Sequence, residues 1–331
     1  MTTLLPTSSG DRLTVTTSDV TSLALPFMVA TQAAALACRP FIGRGEPKAA
    51  DGAAVAALRD ALTRTPGSIR VVIGEGEKDD APMLYAGEEL GTGDGSACDL
   101  AVDPLEGTKL CARGEEGAVS VLAAAPPGTL CATPGWYMEK LVVGAAAAGA
   151  VSLERSVEEN VAALAAALGK PAGELAVAIQ DRPRHSEIVA AVRRAGAAVV
   201  LFRDGDVMTS LRVLLPGGDL DMLIGVGGAP EGVIMGCAAR ALGGFMQGRL
   251  APQSPDEEAR LTEAGADVVQ ILGVDDLVGH DDCVFVATAV TGSTMLGGPA
   301  PGPGGWWMTS LLSTLDHPAM IVRSFVAQGP A

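Results

Sequence analysis

The chain has 331 residues, 48% of them hydrophobic and only 3% aromatic, with a formal net charge of −16. That composition supports one large domain or two with aliphatic cores and excludes a disordered chain. The acidic balance excludes broad binding to nucleic acid or to an acidic membrane, so an anionic ligand must be held by a local site.

In chain order, residues 1–18 read as a mobile Thr/Ser-rich tail. A helix is predicted over 20–42. Its stretch LALPFMVATQAAALAC (23–38) has the hydropathy of a signal segment, but Asp11 and Asp19 precede it against a lone Arg12, and Pro26 and Gln32 interrupt it. It is expected to be a buried amphipathic helix, and no membrane-spanning helix is expected elsewhere because Gly and Pro break the other apolar runs. A second helix is predicted over 51–62, with Asp51 at its start as an N-cap, a role compatible with metal ligation.

The apolar run 69–73 then enters GEGEKDD (74–80), where Glu75, Glu77, Asp79 and Asp80 crowd one loop. Such crowding needs solvent, a cation or proton sharing to relieve it. A second apolar run delivers Asp103 to the turn DPLEGT, in which Glu106, Gly107 and Thr108 follow at once. These are hard oxygen donors of the kind Mg2+ and Mn2+ take, although either loop alone could be solvated surface. Two acidic clusters after two strand signals favour a metal site, since ligands of open α/β sheets bind at strand ends.

Beyond them, a strand is predicted over 119–125 and a helix over 157–169. Strands at 175–180, 198–202 and 220–225 then alternate with helices at 185–195, 206–214 and 230–242, which predicts an α/β fold with a largely parallel sheet. The change of style near 171 divides the chain into an expected first half over 19–170 and an α/β second half over 171–331, with 297–305 (GGPAPGPGG) a flexible turn. The six cysteines lack CxxC or zinc spacing, as expected of buried thiols in the cytoplasm; a redox pair is the other reading.

Three motifs of the second half bear on chemistry. RPRH (182–185) puts Arg182 and Arg184 at a helix start, where guanidinium forks suit phosphate, unless the loop is merely solvated. DGD (204–206) suits sugar hydroxyls or, equally, a capped turn. GVGGAPEG (225–232) fails the dinucleotide fingerprint because Pro230 stands where the third glycine belongs. Glu231 can there meet a cation or simply the helix dipole. His185 reads as a satisfied or surface histidine, with a part in the phosphate site as the other reading.

Together GRGEPKAADGAAV (43–55), VVIGEGEKDDAPMLYAGEELGTG (71–93), DLAVDPLEGTKL (99–110), YMEKLVVG (137–144), RPRH, DGD and IGVGGAPEGV (224–233) resemble class II fructose-1,6-bisphosphatases of the GlpX type. DPLEGT alone resembles only the wider lithium-sensitive sugar-phosphatase superfamily. The resemblance implies a layered α/β/α/β/α sandwich with the metal site in the half over 19–170 and much of the sugar-phosphate site in the half over 171–331, a Mg2+ or Mn2+ cofactor and hydrolysis of the 1-phosphate of fructose 1,6-bisphosphate. It implies Asp51 and Glu75 as ligands of one metal, and Asp103, Glu106 and Glu231 as ligands of another. Substrate contacts would come from Glu106, Gly107, Thr108 and Tyr137, then from Arg182, Arg184, Asp204, Gly205, Asp206 and Gly228. Asp79 and Thr108 would orient and deprotonate the attacking water.

Three departures stand out: Pro47 follows Glu46, Arg182 replaces a frequent Lys, and 306–326 carries Trp306 and Trp307 in place of a basic cluster. A homo-oligomer acting on a small sugar bisphosphate is expected, without nucleic-acid or membrane partners. Sedoheptulose 1,7-bisphosphate is the alternative or additional substrate; a dinucleotide oxidoreductase and a catalytically silent regulator are the remote readings.

Overall fold

The computed structural model describes residues 19–74, 83–133 and 136–327, so the expected tail over 1–18 lies outside the described residues. Helices α1 (Ala24–Cys38) and α2 (Pro47–Thr63) precede β1 (Ser68–Ile73), β2 (Glu89–Leu90), β3 (Ala97–Glu106), the short α3 (Thr108–Arg113), β4 (Val119–Ala125) and β5 (Tyr137–Val143). Then come α4 (Val157–Leu168), β6 (Ala176–Gln180), α5 (Ser186–Arg194), β7 (Ala198–Phe202), α6 (Asp206–Leu214), β8 (Met222–Gly228), α7 (Ala229–Leu242) and β9 (Phe245–Leu250). The chain continues through α8 (Pro255–Glu263), β10 (Leu272–Gly273), α9 (Val274–Leu277), β11 (Val284–Ala289), β12 (Ala300–Gly302), β13 (Gly305–Thr314) and β14 (Met320–Ala327).

Two mixed sheets organise these elements. One has the order β12-β13-β11-β4-β3-β1-β2, with β14 also paired to β13; the other has the order β10-β9-β5-β8-β6-β7. Helices α1 and α2 cover the first sheet, α6 and α7 lie between the sheets, and α4 and α5 cover the second. This is the expected five-layer sandwich: one aliphatic cluster lies under each outer pair of helices, and a third fills both sides of the central layer.

The second sheet is not largely parallel. β6 runs parallel to β7 and β8, but β5 is antiparallel to both β8 and β9, and β9 to β10. Strand-helix alternation reports local crossovers only, and β5 enters from outside the alternating stretch. Nor do the sheets follow the halves 19–170 and 171–331: β5 joins the second sheet, and β11 to β14 return to the first.

Local sequence explains several boundaries. α2 begins at Pro47, whose missing N–H suits a first turn, so its N-cap is Glu46 and Asp51 lies inside the helix rather than capping it. α4 is framed by a capping box of Ser156 and Glu159 and by left-handed Gly169 at its end. In α1 the apolar residues surround the helix instead of gathering on one face, which corrects the amphipathic expectation. The stretch Val20–Phe41 is long and apolar enough to cross a membrane, yet 56% of its most apolar window is buried in this fold. Gln32, which interrupts that run, donates to Ser310 Oγ at 3.0 Å and Ser324 Oγ at 2.9 Å.

At the C-terminal end, Ala300–Gly302 pairs with β13 in a hairpin, so 297–305 is partly strand rather than a flexible turn. Arg39 lies over the Trp306 ring at 4.0 Å, and Trp307 meets Phe325 edge-on at 5.3 Å. All six cysteines are free, five of them buried; side-chain contacts pair Cys38 with Cys111 and Cys237 with Cys283.

Candidate active site

β6, β7 and β8 are parallel, so their carboxyl ends open on the same side, and β5 begins there because Tyr137 pairs with Gly228. The segments leaving β6 and β7 carry Arg182, Arg184 and Asp204, and the first turn of α7, directly after β8, carries Glu231. A cleft of about 570 Å3 lies among them. Of the expected residues, Glu106, Tyr137, Arg182 and Arg184 line it, as do Asp204, Asp206, Gly228 and Glu231. Asp51, Asp103, Gly107, Thr108 and Gly205 are not in its wall. Glu75 and Asp79 lie outside the described residues.

Glu106 ends β3 and is buried, its Oε1 accepting from the Val207 N–H at 3.2 Å while Oε2 has no hydrogen-bond partner. Burial holds its carboxyl well above the usual glutamate range, and Asp103, Asp206, Asp204 and Glu231 push the same way. Glu231, in the first turn of α7, also has a buried, unpartnered Oε2. Burial raises its carboxyl and Asp206 and Asp204 add to the shift, whereas Lys140 opposes it. Gly228 is required beside it, because a Cβ there would stand 1.8 Å from Glu231 Oε2.

Asp103 accepts the Leu105 N–H at 3.0 Å across Pro104, an Asx turn that folds the strand end back. Gly107 follows at φ 81°, a left-handed conformation that opens α3. Thr108 spends its hydroxyl hydrogen on the Leu105 carbonyl at 2.9 Å, which leaves the oxygen as an acceptor. Asp51 faces the Cys38 thiol from α2, its carboxyl raised by burial. Gly43 and Gly45 donate to the Cys111 and Ala112 carbonyls and so tie the α1–α2 loop to α3.

The opposite wall is cationic and aromatic. Arg184 donates to the Val226 carbonyl (2.6 Å) and to Gln180 Oε1 (3.1 Å), with its Cζ 5.3 Å from the Tyr137 ring centre. Burial raises the Asp204 carboxyl, while Arg182 and Lys109 pull it back. His185 is buried: Nδ1 meets the Gln180 carbonyl at 2.7 Å and Nε2 accepts the Val226 N–H at 2.8 Å. That is a neutral imidazole with a fixed tautomer, and burial lowers its pKa.

Sequence reasoning missed Lys109, Trp136, Gln180 and Gly227 in the cleft wall, and the buried Lys140 behind Asp206. Gln180 ends a predicted strand and Gly227 sits in a noted motif, so position alone could have flagged them. Lys140 likewise sits in the quoted run YMEKLVVG, but nothing in that run pointed to Asp206, and Trp136 just before it gave no comparable signal.

Among the described residues, no three His, Cys, Asp or Glu side chains already close into a metal cage. The orphaned buried oxygens of Glu106 and Glu231 nevertheless suit a hard divalent cation, which would relieve both their desolvation and their mutual repulsion.

The profile of the bacterial, glpX-encoded fructose-1,6-bisphosphatases matches residues 21–325. The chain belongs to this family. It is 42% identical over 290 residues to the class 2 fructose-1,6-bisphosphatase of Haemophilus influenzae, covering 84% of this chain and 87% of that relative. Identity is also 42% to fructose-1,6-bisphosphatase 1 class 2 of Escherichia coli K12, over 289 residues, 83% of this chain and 86% of that one. This GlpX-type family is one of metal-dependent phosphatases, which agrees with the carboxylate chemistry of the cleft.

Proposed function

We propose that this protein hydrolyses the 1-phosphate of fructose 1,6-bisphosphate, releasing fructose 6-phosphate and phosphate, with Mg2+ or Mn2+ as cofactor. The observation that carries the reading is the polarity of this cleft: unpartnered buried carboxylate oxygens of Glu106 and Glu231 on one side, Arg182 and Arg184 on the other. A bisphosphate fits that polarity, with its scissile phosphate toward the acidic side and its distal phosphate toward the arginines. The family membership and the names of the relatives support the same substrate.

Glu106, Glu231 and Asp103 would hold one cation, and Asp51 with Glu75 another. Divalent cations, when bound, supply neutralisation of the phosphate and a water of lowered pKa. Arg184 binds the distal phosphate with N–H groups pre-aimed by Val226 and Gln180. Asp204 and Asp206 accept from sugar hydroxyls, with Gly205 between them; Gly228 lets the ligand approach β8 closely. Asp79 takes the proton of the attacking water, and Thr108, whose hydrogen already points to Leu105, accepts from that water and orients it.

Sedoheptulose 1,7-bisphosphate is a second candidate, because one further hydroxylated carbon changes binding little in a cleft of this size. We read the enzyme as a cytoplasmic homo-oligomer. Ile321 and Phe325, exposed on β14, support a subunit contact that light scattering would detect. The deciding assay is phosphate release by the purified protein with Mn2+ or Mg2+ from fructose 1,6-bisphosphate, sedoheptulose 1,7-bisphosphate and inositol 1-phosphate. Preference for the first is expected; release from none of them would refute the reading.

A further inference from the structure

Lys140 is only 1% exposed, and among the described residues no other lysine or arginine is buried. It sits on the central strand β5, between β8 and β9, with its neighbours Met138 and Val142 in the core between the sheets. Its Nζ donates to Asp206 Oδ2 at 2.6 Å and stands 3.7 Å from Met235 Sδ.

Burying such a pair is costly, and its net contribution to stability is generally small next to an apolar pair of similar volume. Packing therefore does not account for a lysine here. Lys140 stands opposite Gly225 on β8 and Gly248 on β9, and the backbone is cleared for its ion pair at Gly227, two residues along β8. A Cβ on Gly227 would lie 1.9 Å from Asp206 Oδ2 and 2.9 Å from Lys140 Nζ. In GVGGAPEG, a motif that matches no dinucleotide fingerprint, Gly227 is the glycine that leaves room for the ion pair.

Asp206 opens α6 after left-handed Gly205 and lines the cleft, so its carboxylate is shared between Lys140 behind and the ligand space in front. We propose that Lys140 is a positioning residue for substrate binding: it anchors one carboxylate oxygen of Asp206 so that the group is held in a single orientation toward the sugar hydroxyls. The inference rests on the proposed sugar-bisphosphate reading of the cleft. The charge-assisted bond makes this anchor stronger and more directional than a neutral contact.

The test is a double-mutant cycle on phosphate release with Mn2+. Lys140→Met is expected to raise KM for fructose 1,6-bisphosphate by about tenfold or more, the size of a lost charge-assisted hydrogen bond, with a smaller change in kcat. In an Asp206→Asn background the same substitution should have almost no further effect. Lys140→Gln, whose amide still donates to Asp206, should raise KM less, and it carries the cycle if the Met variant does not fold. An unchanged KM in a folded variant, a loss confined to kcat, or additivity of the two substitutions overturns the proposal. If the wild-type protein releases no phosphate from the bisphosphate, the reading of the cleft fails and this inference falls with it.

Discussion

Glu106 and Glu231 face one cleft from different sheets: Glu106 ends β3 of the first, and Glu231 follows β8 of the second, each with its Oε2 buried and unpartnered. Neither sheet alone forms the acidic wall. A cation held between them would bridge the two layers of the sandwich.

That pairing sets a pH dependence. Both carboxyls are raised, Glu106 by burial among Asp103, Asp206, Asp204 and Glu231, and Glu231 by burial near Asp206 and Asp204 against the opposing Lys140. The folded metal-free protein therefore binds more protons than the unfolded chain between the ordinary and the raised values. Stability from these groups is present at low pH and is lost as pH rises through the folded pKa values. The contribution of these two groups to Tm, isolated by comparing metal-free wild type with Glu106→Gln and Glu231→Gln, should fall across that window. Mn2+ should raise Tm more at its upper end, where the carboxylates are ionised. Equal metal stabilisation at both ends would contradict the assignment.

Asp103 can be tested without disturbing its turn. Its Oδ1 accepts the Leu105 N–H, and an asparagine oxygen can do the same. Asp103→Asn should lower phosphate release by at least about 100-fold, since even outer-shell partners of a metal cost 10–100-fold, and should change stability by no more than about 1 kcal/mol. Turnover like that of the wild type would remove Asp103 from the metal site.

Arg184 is stacked on Tyr137 and bonded to Val226 and Gln180, so it is a fixed anchor rather than a loose surface charge. Arg184→Ala should raise KM for the bisphosphate by roughly 10- to 100-fold, the size of a lost charged hydrogen bond. KM for a sugar monophosphate should rise less. Equal rises would count against a distal-phosphate role.

Gly228→Ala would drive a Cβ to 1.8 Å from Glu231 Oε2, so the carboxylate must move. The expected stability cost is about 1–3 kcal/mol, with a larger proportional loss of Mn2+ affinity, readable by thermal melts and calorimetry. Retained Mn2+ affinity would show that Glu231 is not a ligand.

Much of the local structure was legible because it depends on neighbours in sequence. The strand-turn geometry around Asp103 follows from side chains a few residues apart, and so do Pro47 in the first turn of α2 and the Ser156–Glu159 box, signals that the helix expected from Asp51 and the helix expected from 157 did not use. The alternation from 176 to 242 predicted the βα units correctly. It could not reveal that β5 inserts between β8 and β9, because that pairing joins Tyr137 to Gly228, far apart in sequence, and leaves no periodic trace. The contacts of Cys38 with Cys111 and of Lys140 with Asp206 are of the same long-range kind.

By itself the sequence determined the acidic, aliphatic character of the chain, the order of its motifs and the residue types able to meet a cation or a phosphate, since these follow from composition and short-range spacing. Only the tertiary structure decided which of them share a cleft, that Glu106 and Glu231 meet from separate sheets, and that Lys140 stands behind Asp206. Those relationships arise when two sheets pack around α6 and α7, and burial in that layer is what makes the carboxylates hold their protons more tightly than usual.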